Sequence, residues 1–393
     1  MSPMPPSEPA ETPESLSSRA PVVQGGSGTA TPAPASALTS PDAPGFPRFL
    51  KVALGIVLVL AALLMLREFA TTFAPIFLAL NLMVTAYPLH TWLVKRHCPS
   101  PISATIVALV VLVVLFTFFV GLAWAVGETI SLLPTYGNEF SQIYQQVIDL
   151  AARLGFDEQQ ILSSLKSIDP NSIMSAATSL LSGASGFLGI MAVLVTTIFF
   201  MAMDTPGFAA RFRIAESGHS RITAGFSSFS RGVRRYWIVT TVFGLIVAVL
   251  DTIAVAILGV PLPVVWGLLS FITNYIPNIG FIIGLIPPAL VALVALGWKQ
   301  ALVVVVLYCV LNFVVQSLIQ PRFTGQSVGV TPTVSFVSLL VWGSVLGALG
   351  TLLALPMTLL LKALIIDTDP RARWVNALLA SDPGDAEDEP AVS

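Results

Sequence analysis

Val264–Leu296 reads VVWGLLSFITNYIPNIGFIIGLIPPALVALVAL, a run without a single charged side chain. As one straight helix it would far exceed the ~30 Å hydrocarbon core of a bilayer. It is also broken from within: Pro277 and Gly280 fall near its middle, with Pro287 and Pro288 a little further on. Proline removes a backbone donor and clashes with the preceding turn, so an apolar helix does not pass through such a cluster undisturbed. In lipid, freed backbone groups are tolerated only against protein or a water-filled cavity. The stretch predicts a helix broken in mid-membrane, either one kinked span or two pieces folded back on each other.

The surrounding chain has the composition that this reading requires. Of 393 residues, 55% are hydrophobic and 10% are charged. Soluble domains carry about 25% charged residues, so a water-soluble globule of this size is excluded. A net charge of −2 provides no basic field, and no nucleic-acid partner is expected. Cys98 and Cys309 are the two cysteines and there are three histidines. That is too few for a disulfide framework or a metal site, and no cofactor is expected. Neither H-E-x-x-H, G-x-S-x-G nor a P-loop occurs, so the chain does not read as an enzyme, and transport would be secondary or passive.

Seven further apolar runs reach spanning length: Phe49–Leu66, Phe69–Val94, Ile102–Val126, Gly186–Met203, Trp237–Leu258, Ala301–Ile319 and Val334–Ile365. The fold expected is an all-α polytopic membrane protein with about eight transmembrane helices, broken or re-entrant segments and a small extracytoplasmic helical insertion. Residues 1–47 form a proline-rich tail, unable to bury enough apolar surface to offset ordering entropy, and are read as disordered. Transmembrane helices 1–3 occupy 48–126. Residues 127–185 are the insertion, with Leu133, Phe140, Tyr144, Val147, Ala151 and Leu154 at helical spacing. The fourth helix covers 186–203. Residues 204–236 read as one amphipathic helix with six arginines (211, 213, 221, 231, 234 and 235) opposite an apolar face, held by membrane lipids. The core of helices 5–8 covers 237–366, and an acidic tail covers 367–393. Eight spans with the amino terminus inside place 15 of the 19 basic residues on the cytoplasmic side. The positive-inside rule then predicts both termini in the cytoplasm.

Asp251 is the acidic residue inside a span. A bare carboxylate there costs roughly 2.5–3.5 kcal/mol on insertion scales, so it must meet protein, water or a cation. It is the candidate site for a coupling ion or proton; the plainer reading is a carboxyl hydrogen-bonded to a neighbouring helix. Asn274, Pro277, Asn278, Gly280, Pro287 and Pro288 form the candidate substrate path at the main break, suited to a small polar solute or cation; a dry kink is the alternative. Gln316, Gln320, Pro321 and Arg322 extend that path at a second break, where Arg322 could instead snorkel to headgroups. Gly343, Gly347 and Gly350 form a small-residue face for helix packing.

Ala74-Pro-Ile-Phe-Leu-Ala-Leu with Ala86-Tyr-Pro-Leu, Leu258-Gly-Val-Pro, Ile276-Pro-Asn-Ile-Gly280, Ile319-Gln-Pro-Arg with Gly325 and Pro332, and Trp342-Gly with Gly347, Gly350 and Ala354-Leu-Pro356 follow one another along the chain. This ordered set resembles the autoinducer-2 exporter family, the PerM-like permeases, over residues 48–368. The resemblance implies a bacterial inner-membrane protein of eight spans, with an outside insertion after the third and a homo-oligomeric assembly. It also implies export of the furanone signal autoinducer-2, or sodium(lithium)/proton antiport as in other members. A secondary transporter working by alternating access is the first expectation and the antiporter the second. A non-transporting membrane scaffold is the third.

Overall fold

The computed structural model describes residues 47–136, 184–276, 279–320, 331–368 and Val375. Nearly all of the amino-terminal tail, the insertion and the acidic tail lie outside these residues. The chain divides into two compact units, Met1–Ile56 and Val57–Ser393. The division falls within the first helix.

Every regular element among the described residues is helical. They are α1 (Arg48–Glu68), α2 (Ala70–Lys95), α3 (Ser100–Leu132), α4 (Ala184–Gly218), α5 (Ser220–Ile257), α6 (Pro263–Thr273), α7 (Gly280–Leu296), α8 (Trp298–Asn312) and α9 (Pro332–Leu361). All eight expected apolar runs form helix among the described residues, the run 264–296 in two pieces. Six stretches are long and apolar enough to cross a membrane by length and composition: Ala70–Lys95, Ser100–Leu132, Leu188–Gly218, Ser220–Ile257, Trp298–Ile319 and Pro332–Ile366. Pro263–Thr273 and Gly280–Leu296 are shorter apolar helices.

Apolar side chains cover the outward faces, as a lipid solvent allows, so the interior is marked by small and polar residues. One core cluster joins α2, α3, α4, α5 and α9 through Phe77, Leu78, Val111, Leu115, Leu194, Ile198, Phe229, Val233 and Leu353. A second joins α3 to α5–α8 through Ala125, Val255, Trp266, Leu285, Ala292 and Val304. His90 and Ser103 tie α2 to α3: the Ser103 hydroxyl lies 2.8 Å from His90 Nδ1 and donates to the His90 carbonyl at 3.0 Å.

The structure decides between the two readings of 264–296. α6 and α7 are antiparallel: Gly280 abuts the Thr273 carbonyl, and one turn along, Gly284 abuts Thr273 and Ser270. α6 has 11 residues, about 16 Å of helix, so it cannot cross the bilayer. The run is a hairpin that enters beside the end of α5 and returns. Its entry turn is built on Gly259 (φ 75°) and Leu262 (φ 57°), with Trp266 Nε1 donating to the Pro261 carbonyl at 2.6 Å. α7 continues through Pro287 and Pro288, so the break lies at 274–279 and not at the second pair of prolines.

α9 also folds back. Gly347 has φ 67° and ψ −146°, a region essentially reserved for glycine. Ser338 and Thr358 hydroxyls meet at 2.6 Å, and Trp342 Nε1 donates to Thr358 at 3.2 Å. In a straight helix positions 338 and 358 would stand about 30 Å apart. The ends of this second hairpin lie beside the start of α5, where Gly225 touches the Ala363 carbonyl and Gly232 touches Leu359. The two hairpins thus enter from opposite ends of α5.

Residues 204–236 differ from the single helix expected. They are the end of α4 and the start of α5, separated at His219 (φ −142°, ψ 58°).

Candidate functional site

α5 presents Thr240, Gly244, Ala248 and Asp251 inward, spaced by three or four residues and all buried. Small residues let α6 come close to this face. A Cβ on Gly244 would sit 2.7 Å from Asn274 Nδ2, and one on Gly267 would collide with Thr252. α8 brings Tyr308, Asn312 and Gln316, each four residues after the last and so stacked on one helical face. Gln316 lies in a seven-residue π-helical segment, Phe313–Ile319, that continues α8. Such wide turns inside α-helices often mark functional positions.

These three faces converge on a chain of polar groups. At one end Asp251 is fully buried, at 0% exposure. Ser270 on α6 donates to its Oδ2, and Oδ1 has no partner. Tyr308 on α8 is also fully buried, and its hydroxyl is unpaired as well. No basic side chain neutralises Asp251: the ion pairs among the described residues are Arg211–Asp204 and Lys362–Asp367.

Further along, Gln316 Nε2 donates to Asn274 Oδ1 at 2.9 Å and to Asn312 Oδ1 at 3.0 Å. Asn312 Nδ2 donates to the Tyr308 carbonyl at 2.9 Å, and Asn274 Nδ2 to the Thr240 carbonyl at 3.4 Å. Three side-chain amides therefore join the tip of the first hairpin to α5 and α8. At the tip, Tyr236 donates to the Tyr275 carbonyl at 3.0 Å, and Tyr275 and Thr241 hydroxyls meet at 2.8 Å. The tip backbone is closed locally by Asn274 N to Ser270 O at 3.0 Å and Ile276 N to Thr273 O at 2.9 Å.

Of the residues expected on the path, Asn274, Gly280 and Gln316 come together at this tip. Pro287 and Pro288 lie about two turns up α7, and Gln320 is half-buried beyond the π segment. Pro277, Asn278, Pro321 and Arg322 lie outside the described residues. Gly343 and Gly350 pack within α9 itself: a Cβ on Gly350 would collide with the Trp342 carbonyl, and one on Gly343 would sit 2.9 Å from Thr351. Sequence reasoning missed Thr240, Ser270, Thr273 and Tyr308. It also missed Asn81, fully buried on α2 with Oδ1 unpaired. The regular spacing of Tyr308, Asn312 and Gln316 is the signal that could have found α8's contribution. A groove of ≈ 440 Å³ along α7 and α8, bounded by Leu285, Leu290, Trp298 and Leu302, is apolar and offers nothing to a polar solute.

The sequence pattern of the AI-2E family transporters matches residues 54–369. The chain belongs to the AI-2E transporter family. It is 30% identical over 324 residues to the putative transport protein YhhT of Escherichia coli (strain K12), covering 82% of this chain and 91% of that protein. It is 30% identical over 322 residues to the AI-2 transport protein TqsA of the same strain, covering 81% and 92%. It is 24% identical over 313 residues to the putative transport protein YrrI of Bacillus subtilis (strain 168), covering 75% and 86%. The chain is thus a multi-pass membrane protein homologous to bacterial transporters, and its family is one of transporters rather than enzymes.

Proposed function

We propose that the protein is a secondary transporter that moves a small polar solute, such as the AI-2 in the name of its relative TqsA, by alternating access. The observation that carries this reading is the amide cluster Asn274–Gln316–Asn312. It ties the tip of a re-entrant hairpin to a π-helical segment of a spanning helix. Broken helices in mid-membrane are a recurrent way for transporters to build polar sites. Amides offer donors and acceptors to a neutral polar ligand without the desolvation cost of a charge. Asn278 and Pro277 at the tip, and Gln320, Pro321 and Arg322 beyond the π segment, complete the path in this reading. Asp251 holds the coupling ion or proton.

In this reading α1–α5 and α8 cross the membrane, the two hairpins re-enter it, and both termini lie on the cytoplasmic side. Relative to eight straight crossings, Lys299 moves outside and Arg322 moves inside, which leaves the basic bias unchanged.

The test is flux through purified protein in liposomes, comparing furanone solutes with sodium under imposed pH gradients. Pumping of the solute supports the proposal. The buried carboxyl favours a second reading, sodium(lithium)/proton antiport; there, sodium moves against protons and Asp251→Asn abolishes the exchange. Absence of flux for every solute and ion would leave a membrane scaffold.

A further inference from the structure

The chain leaves the core at one defined place. α9 continues as a π-helical turn, Lys362–Ile366, and Lys362 Nζ pairs with Asp367 Oδ1 at 2.9 Å. A Cβ on Gly225 of α5 would sit 2.6 Å from the Ala363 carbonyl and 3.2 Å from the Thr368 methyl. The residues that follow Thr368 therefore start against α5. Arg221 and Ile222 precede Gly225 by four and three positions, so they share that side of the helix, and both are exposed.

α5 is one helix of 38 residues, about 57 Å long, against a hydrocarbon core of ~30 Å. Trp237–Ile257 is long enough to fill that core, so the turns before Trp237 extend about 25 Å past it. Headgroups take up roughly the first 5–8 Å of that distance, and their charge is screened within about 8 Å at physiological salt. Arginines next to Trp237 stand at headgroup depth; Arg221, and Arg213 across the turn at His219, stand beyond it. Neither pairs with a carboxylate among the described residues, and Arg211 pairs with Asp204 where both are exposed. Beside these arginines Ile214, Ile222 and Phe226 are exposed, Ile214 at 73%. Exposed apolar groups rimmed by charge mark a docking face.

Charge and tether name the occupant. Residues 369–393 lie outside the described residues but for Val375. They carry Trp374, Val375, Leu378 and Leu379 at helical spacing, then Asp382, Asp385, Glu387, Asp388 and Glu389 with no basic residue among them. A flexible link over 369–381 has an r.m.s. span of about 20 Å, which holds the acidic stretch near α5 at an effective concentration on the order of millimolar. We propose that this tail docks on the membrane-distal part of α4 and α5 in its own chain. The apolar stretch covers Ile222 and Phe226, and the carboxylates meet Arg213 and Arg221. This docking does not depend on what the protein carries.

The test is a pulsed electron-spin distance measurement on the full chain in neutral phosphatidylcholine liposomes. Cys98 and Cys309 are replaced by serine, and spin labels are placed on Ser217→Cys and Ala386→Cys. Dilution with unlabelled protein restricts the reading to pairs within one chain. A single short separation is expected at low salt and is lost at about 1 M salt, where charges are screened within about 3 Å. It is lost also in Arg213→Gln with Arg221→Gln. In Ile222→Ser with Phe226→Ser the tail is released at lower salt. The salt series needs no further substitution, so a variant that fails to fold leaves the decision to it. A broad separation at low salt overturns the proposal. A short separation that neither salt nor loss of the arginines changes overturns the part given to charge. An unmoved salt midpoint in the Ile222 and Phe226 variant overturns the part given to the apolar stretch. A short separation that forms only after anionic phosphatidylglycerol is added overturns the proposal in favour of a tail held by the bilayer surface through Arg371 and Arg373.

Discussion

Gln316 satisfies two acceptors at once, Asn274 Oδ1 and Asn312 Oδ1. Replacing it with alanine leaves both oxygens without that donor in a partly buried setting, at a cost of about 1–3 kcal/mol. A double-mutant cycle of Asn274→Ala and Gln316→Ala, followed by unfolding of the detergent-solubilised protein, should give a coupling of about 1 kcal/mol. Additive effects would show that the two amides do not act together. Gly350 permits a backbone approach in the same way that Gln316 permits a polar one. Its Cα lies against the Trp342 carbonyl, which cannot swing aside as a side chain would. Gly350→Ala should cost about 1–3 kcal/mol and lower Tm. Gly189→Ala, where nothing lies within 4 Å, should not. Residue types explain what was legible at this scale. Asp251 and Asn274 stand out because carboxylates and amides are costly in lipid. Ser270, Thr240 and Thr273 do not, because hydroxyls commonly bond the carbonyl of their own helix, as Thr273 does to Leu269.

Among the elements, the two hairpins set the architecture. A proline–glycine break gives the same sequence pattern whether the helix kinks or turns back. The sequence therefore placed the break among Pro277, Gly280, Pro287 and Pro288 but left its geometry open. What decides it is tertiary: Gly280 and Gly284 let α7 lie against Thr273 and Ser270. The fold-back of α9 was less legible. Gly343, Gly347 and Gly350 share the spacing of a packing face, and nothing in a composition distinguishes the one glycine that needs a positive φ. Gly347→Ala is expected to cost about 1–3 kcal/mol through that conformation, seen as a lower Tm. A direct check replaces Cys98 and Cys309 with serine and introduces Ser338→Cys with Thr358→Cys. Oxidation should then join the two positions within one chain. Absence of any cross-link in folded protein would indicate that α9 runs straight.

For the whole molecule, the hairpins enter from opposite ends of α5 and leave a polar chain from Asp251 to Tyr275 between α5, α6 and α8. The eight apolar runs were plain in the sequence because lipid enforces long apolar stretches. How many of them cross was not, because length alone cannot report a reversal of direction. Cysteines placed singly at His219 and Gly297 should be labelled by an impermeant thiol reagent from opposite sides of the membrane, His219 from the cytoplasm. Labelling of both from one side would contradict six crossings. The central claim is that the broken main chain at the first hairpin tip is wet and meets cargo. Its most direct test is thiol accessibility of single cysteines at Asn274 and Gln316 in membranes, with and without the furanone solute. The account predicts modification by a small impermeant reagent and protection by the solute. Complete inaccessibility of both positions from either side, under every condition, would contradict it.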